Sequence, residues 1–189
     1  MRCVLTHPDN RRRMTVPGIL LTGGASSRMG RDKATLVING EMLAARGARI
    51  LQSVCDPVVE AGPGITSLRA VRESPPGSGP LAALFAAYDA LHTNEGSVLL
   101  LACDLPFVTD DVLRMLVEHP APGSVVPVVD GHAQYACARW SAVAVATARG
   151  GTALRDLVQG GDVTTVDLED ARTLQDVDTP EDLRRLGLS

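Results

Sequence analysis

Residues 20–36, LLTGGASSRMGRDKATL, gather in one short stretch the groups needed to hold a polyanion. Gly23 and Gly24 allow backbone angles that other residues resist, so the turn they form can present bare N–H groups. Ser26 and Ser27 add hydroxyl donors, while Arg28 and Lys33 carry positive charge in a loop short enough for both to face one anion. A nucleoside triphosphate suits such a pocket. The spacing is not that of a Walker loop, because Gly24 and Gly30 are separated by AlaSerSerArgMet and followed by ArgAspLys rather than by Lys and a hydroxyl residue. The dinucleotide fingerprint is absent too, which argues against hydride transfer.

A second candidate lies at residues 99–106, LLLACDLP, where an apolar run ends on Asp104. A carboxylate at the end of a buried strand is held rigidly and can ligate a hard cation. Mg²⁺ suits it, since that ion keeps several waters and uses only one or two protein carboxylates beside substrate phosphates. Cys3, Cys55, Cys103 and Cys137 form no CxxC pair and have no His at ligand spacing, so they read as thiols of a reducing compartment.

These groups need a scaffold, and the pattern supplies one. Residues 16–21 read as a strand feeding the glycine turn, and 97–102 as a strand covered on both faces and ending at Asp104. Between and after them the expected elements alternate. Helices are expected at 41–54, 80–91, 109–118, 141–149, 152–158 and 180–186, and strands at 58–61, 68–71, 125–129, 134–138 and 163–168. Pro80 and Pro180 stand at first helical positions, and Thr109 precedes two acidic residues as an N-cap. This alternation predicts an α/β fold, a single-domain Rossmann-like three-layer sandwich with a mostly parallel sheet. Ligands in such sheets bind beyond the carboxyl ends of the strands, where both candidate segments fall.

Composition narrows the partners. Hydrophobic residues make up 45% and aromatics 3%, so the core is aliphatic, and the net charge of −4 argues against nucleic-acid binding through a basic face. No apolar stretch is long enough to cross a bilayer and no signal peptide is recognisable, so a cytoplasmic protein with no membrane partner is expected. Residues 1–15 show no apolar period and read as a disordered tail, or as a segment preceding a start at Met14. Residues 16–189 then form the catalytic domain.

In order along the chain, LLTGGASSRMGRDKATL, GPLAALFAAYDAL, LLLACDLPFV, DGHAQYACARW and DVDTPEDL resemble the molybdenum cofactor guanylyltransferases, a branch of the nucleotidyltransferases. The resemblance covers nearly all of residues 16–186. It implies transfer of GMP from GTP, with Mg²⁺, to the phosphate of molybdopterin, releasing pyrophosphate, and it suggests molybdoenzymes or their chaperones as further partners. Laid onto matching positions, it has Leu21, Thr22, Gly23 and Gly24 lining the nucleotide, Lys33 on its phosphates, and Asp104 on the metal as well as the nucleotide. Catalysis would then be positioning and charge neutralisation by Arg28, Lys33 and Asp104 with its cation. Glu73 stands where the family places an Asp facing guanine.

The chain also departs from the family. Asn is usual near the end of the third strand, where Glu60, Ala61 and Gly62 stand here. Asp176 and Asp178 replace a pair of Asn before the last ThrPro, and they are candidates for the acceptor side, with Asp178 and Thr179 also suited to capping the last helix. Cytidylyl transfer to the same cofactor therefore stays open beside guanylyl transfer, as does a non-catalytic GTP-binding protein that delivers the cofactor. A sugar-phosphate nucleotidyltransferase would share the first motif alone. Arg139, Arg149, His132, Gln134 and the turn at 150–152 are further candidates for meeting a polyanionic acceptor.

Overall fold

In the computed structural model, which describes residues 15–23, 33–92 and 96–188, one mixed sheet is flanked by helices on both faces. The chain runs β1 (Gly18–Leu21), a 3₁₀ turn at Lys33–Thr35, β2 (Val37–Ile38), β3 (Glu41–Met42), α1 (Leu43–Gln52), β4 (Val58–Ala61), β5 (Arg69–Val71) and α2 (Pro80–Ala90). It continues through β6 (Ser97–Ala102), α3 (Asp110–Glu118), β7 (Ser124–Val129), β8 (His132–Ala133), β9 (Cys137–Ser141) and α4 (Ala142–Thr147). A 3₁₀ turn at Leu154–Gln159, β10 (Val163–Asp167), another at Ala171–Leu174 and α5 (Pro180–Arg185) complete it.

The main sheet has the order β10-β7-β9-β6-β1-β4-β5, with β8 paired to β7. β4, β1 and β6 are parallel neighbours, in the register Leu21↔Ala61 and Leu21↔Ala102. β9 runs antiparallel to both β6 and β7. The sheet is therefore mostly parallel with one reversed central strand, and the α/β sandwich expected from the alternation is what the chain forms.

Alternate side chains of each strand sort into two cores, as the period of two requires. Ile19, Leu21, Val98, Leu100, Ala138 and Trp140 pack with Leu84 and Ala87 of α2 and with Ala144 and Val145 of α4. Leu20, Leu99, Leu101 and Cys137 pack on the other face with Ala48 and Leu51 of α1 and Leu113 and Leu116 of α3. Gly18 and Gly47 belong to this packing, since a Cβ on Gly18 would lie 2.9 Å from Leu51 Cγ and one on Gly47 2.8 Å from Leu20 Cδ1. Among the described residues, no helix is long and apolar enough to cross a membrane.

Several expected boundaries shift for physical reasons. The helix expected over 41–54 starts at Leu43, because Glu41 and Met42 pair with Ile38 and Val37 in a small hairpin turned at Asn39 and Gly40, both with positive φ. The strand expected at 134–138 is displaced. Asp130 and Gly131, with φ of 49° and 78°, make a tight turn that pairs His132 with Val129, and the long strand is Cys137–Ser141. The 152–158 helix is a 3₁₀ turn. The expected tail at 1–15 lies outside the described residues except for Thr15.

Arg139 leaves the list of acceptor candidates here. It is 6% exposed, and its guanidinium donates to the carbonyls of Val117 and His119 at 2.9 Å, of Gly123 at 3.3 Å, and of Ala121. Those carbonyls belong to the end of α3 and the half-buried segment after it, and the guanidinium supplies their donors. Arg139→Met should therefore lower stability by about 3 kcal/mol, the size expected when several half-buried acceptors lose a charged donor. Urea denaturation checks this, and the loss should exceed that of a surface change such as Arg155→Met.

Candidate active site

At the carboxyl ends of β1 and β6 the two sequence candidates meet. Cys103 N donates to Leu21 O at 3.0 Å, so the residues after the two strands leave the sheet side by side. Leu21, Thr22, Gly23, Lys33, Asp104 and Asp176 line one cleft of about 280 Å³. Lys33 heads the 3₁₀ turn, and its Nζ donates to Asp104 Oδ2 at 3.3 Å and to Asp178 Oδ1. Burial alone would depress the Lys33 pKa. The hydrogen bond to Asp178 and the charge of Asp104 outweigh it, and the net shift is upward.

The acidic side of the cleft comes from the C-terminal segment. Val177 N donates to Asp104 O at 3.0 Å, which brings Asp176 and Asp178 beside the end of β6. Removal from solvent, and then the charges of Asp178 and Asp104, hold the Asp176 pKa above its ordinary value. Such crowding favours a bound cation, and Asp104 with Asp176 offers it hard oxygen donors. Among the described residues no group of three or more His, Cys, Asp or Glu stands arranged to hold a metal. That donor set fits an ion that takes one or two carboxylates and completes its shell with phosphate and water, as Mg²⁺ does.

Two further depressions adjoin the cleft. One of about 500 Å³ shares Gly23 and Pro80 with it and contains Glu73, Gly62 and Pro63. Glu73 thus lies beside the turn after β1 rather than within the charged cleft, and its Oε1 accepts from Gly77 N at 2.8 Å. The other, of about 590 Å³, shares Gln134 and Asp176 and contains Asp130, His132 and Arg172.

Some expectations change. The N–H groups of Thr22 and Gly23 both donate to Ala61 O, at 3.1 and 3.3 Å, so neither is a bare donor. The amides of Thr152 and Ala153 point to Asp156 Oδ2, at 2.7 and 3.0 Å, which removes that turn as a phosphate receptor. Arg149 is paired with Asp89 and stacked 4.8 Å from the Phe85 ring centroid. Gly24 and Arg28 lie outside the described residues. Cys55 and Cys137 are free, buried thiols pushed up to about 12 by desolvation, which suits packing rather than chemistry.

Residues 18–167 match the MobA-like NTP transferase domain. The chain belongs to this family of nucleotidyltransferases. A relative from Mycobacterium avium, named a probable molybdenum cofactor guanylyltransferase, is 33% identical over 199 residues, covering 92% of this chain and 96% of its own length. Solved structures of the same fold include molybdopterin-guanine dinucleotide biosynthesis protein A from Archaeoglobus fulgidus, with TM-score 0.69, 20% identity and coverage of 90% and 96%. A Mycobacterium tuberculosis protein solved in complex with manganese has TM-score 0.70, 19% identity and coverage of 91% and 97%. The matched domain includes Lys33 and Asp104 and ends before Asp176 and Asp178. The transferase thus adds a C-terminal segment to the domain's cleft.

That segment is fixed by a capping box. Asp182 Oδ2 accepts from Asp178 N at 3.1 Å and from Thr179 N and Oγ1 at 2.8 Å, while Thr179 Oγ1 accepts from Asp182 N. The hydroxyl of Thr179 is the largest influence holding the Asp182 pKa below 3.8. A lowered carboxylate pKa stabilises the fold above the unfolded value and stops doing so as pH falls through the folded one. Hydrogen exchange at residues 178–183, taken relative to the intrinsic rate at each pH, should therefore rise below pH 3.8. In Asp182→Asn it should be fast already at neutral pH.

Proposed function

We propose that this transferase moves GMP from GTP to the terminal phosphate of molybdopterin, releasing pyrophosphate and forming the guanine dinucleotide of the cofactor. The observation that carries this reading is the Lys33–Asp104 pair, brought from 71 residues apart to 3.3 Å at the carboxyl ends of adjacent strands. The name of the Mycobacterium avium relative supports the substrates.

In this reading an oxygen of the acceptor phosphate attacks the α-phosphorus of GTP. One P–O bond forms there, the bond to the β-phosphate oxygen breaks, and its electron pair leaves with pyrophosphate. The nucleophile is already ionised near neutral pH, so no general base is needed. Mg²⁺, held by Asp104, would neutralise charge on the phosphates. Lys33 and Arg28 neutralise the rest and orient the reacting groups. Leu21, Thr22, Gly23 and Gly24 line the nucleotide, and Glu73 accepts from the guanine N1–H and amino group. The acceptor enters from the side of Asp176 and Asp178. The product passes to molybdoenzymes or their chaperones in the cytoplasm.

Cytidylyl transfer is the second reading, and Asp176 and Asp178 are the observation that favours it, since they stand where guanylyl enzymes usually carry Asn. A non-catalytic GTP-binding role would not need both Lys33 and Asp104.

Pyrophosphate release with Mg²⁺ and molybdenum-bearing molybdopterin tests these readings. Release with GTP in preference to CTP is expected, and Lys33→Ala and Asp104→Ala should each lower turnover about 100-fold or more in proteins that remain folded. Preference for CTP selects the cytidylyl reading. Near-normal turnover in a folded Lys33→Ala protein defeats the assignment of that residue.

A further inference from the structure

Glu60 is a carboxylate with 0% exposure, set in β4 between Val59 and Ala61. Burying an ionised carboxylate is costly unless its oxygens are filled by donors. Here five donors fill them. Oε1 accepts from Thr22 Oγ1 at 2.7 Å and from the amides of Gly64 and Ile65 at 2.8 Å. Oε2 accepts from the Thr66 amide at 2.8 Å and its hydroxyl at 2.6 Å. Desolvation pushes the pKa up, but the Thr66 hydroxyl, the Ile65 and Thr66 amides and the Thr22 hydroxyl outweigh it, and the net shift is downward.

The donors come from two places that the backbone alone does not join in this way. Thr22 belongs to the turn after β1 and lines the cleft with Lys33 and Asp104. Residues 64–66 follow Gly62 and Pro63, which line the depression holding Glu73. Only a residue without a side chain fits between them, because a Cβ on Gly62 would fall 2.1 Å from Thr22 Oγ1. The Thr22 hydroxyl therefore passes over Gly62 to reach Glu60.

We infer that Glu60 is a positioning residue for nucleotide binding, fastening the turn after β1 to the loop at 62–66 and so fixing the base depression relative to the phosphate cleft. This rests on the nucleotide reading above. An amide at this position cannot do the same work, since its NH₂ would face a donor on one side.

Variants Glu60→Gln, Thr22→Val and Thr22→Ser test the inference, with a fluorescent GTP analogue and Mn²⁺ as the probe and hydrogen exchange on the free protein as a second readout. Thr22→Val should weaken the analogue about tenfold, the effect of losing one hydrogen bond to a charged group. Thr22→Ser keeps the donor and should bind like the parent. Glu60→Gln should weaken binding at least as much, and adding Thr22→Val to it should cause no further loss, because both remove the same link. In the free protein, Glu60→Gln should speed exchange at residues 64–66 and also at 22–23, whose amides Glu60 does not itself bind. A Glu60 that served folding alone would lower the melting temperature in Glu60→Gln while leaving affinity of the folded protein and exchange at 22–23 unchanged. That result, or losses that multiply in the double variant, overturns the inference. If the parent binds no nucleotide, the functional reading fails by itself, and exchange at 22–23 still decides whether Glu60 fastens the two segments.

Discussion

One lysine in contact with two carboxylates gathers the working edge of this molecule. Lys33 reaches Asp104, 71 residues away, and Asp178, 145 residues away, so a single ammonium joins the 3₁₀ turn at Lys33–Thr35, the end of β6 and the C-terminal segment. Each partner alone would be poorly placed. Asp104, Asp176 and Asp178 repel one another in a half-buried cleft, and Lys33 would lose hydration there without compensation. Their mutual neutralisation lets the segments converge, and it leaves an excess of negative charge on which a divalent cation can act. An edge built this way stays poised, because the same lysine that quiets the carboxylates has the charge and reach to turn toward a phosphate.

The fold was legible in the sequence where local chemistry and burial agree. Residues 98–102 are apolar throughout because β6 is central and covered on both faces, and the boundaries expected for the strand, 97–102, are those observed. Thr109 accepts from the Val112 amide as an N-cap should. Legibility failed around residues 130–141. Asp130 and Gly131 signalled a turn, but the two-residue strand after it depends on pairing with β7 and the reversed direction of β9 on pairing with β6, which no local pattern encodes.

The site divided along the same line. Lys33 and Asp104 were recognisable because their residue types stand out at the ends of apolar strands. Asp176 and Asp178 were recognisable as departures from a motif, although which groups they face depends on the tertiary fold. Arg139 and Glu60 could not be told apart from ligands by type. Both are charges inside otherwise buried strands, one silencing the carbonyls after α3 and the other collecting donors from two loops. The available signal for Glu60 was its place in a strand of ValValGluAla, where the alternation that buries Leu20 also buries its register partner.

The reversed strand has a consequence for how such an enzyme can change. Because β9 runs against its neighbours, its start rather than its end reaches the active edge, and Ala102 N is held by Ala136 O at 2.8 Å. The residues from Asp130 to Ala136 therefore form a hairpin tip set against the cleft, tied down at both ends by strands whose registers are fixed elsewhere. Insertions or exchanges in that tip would remodel one wall without moving Asp104 or the glycine turn. The architecture separates a wall free to drift in evolution from a charged floor that is not, so the shape of the cleft can change while Lys33 and its carboxylates stay in place.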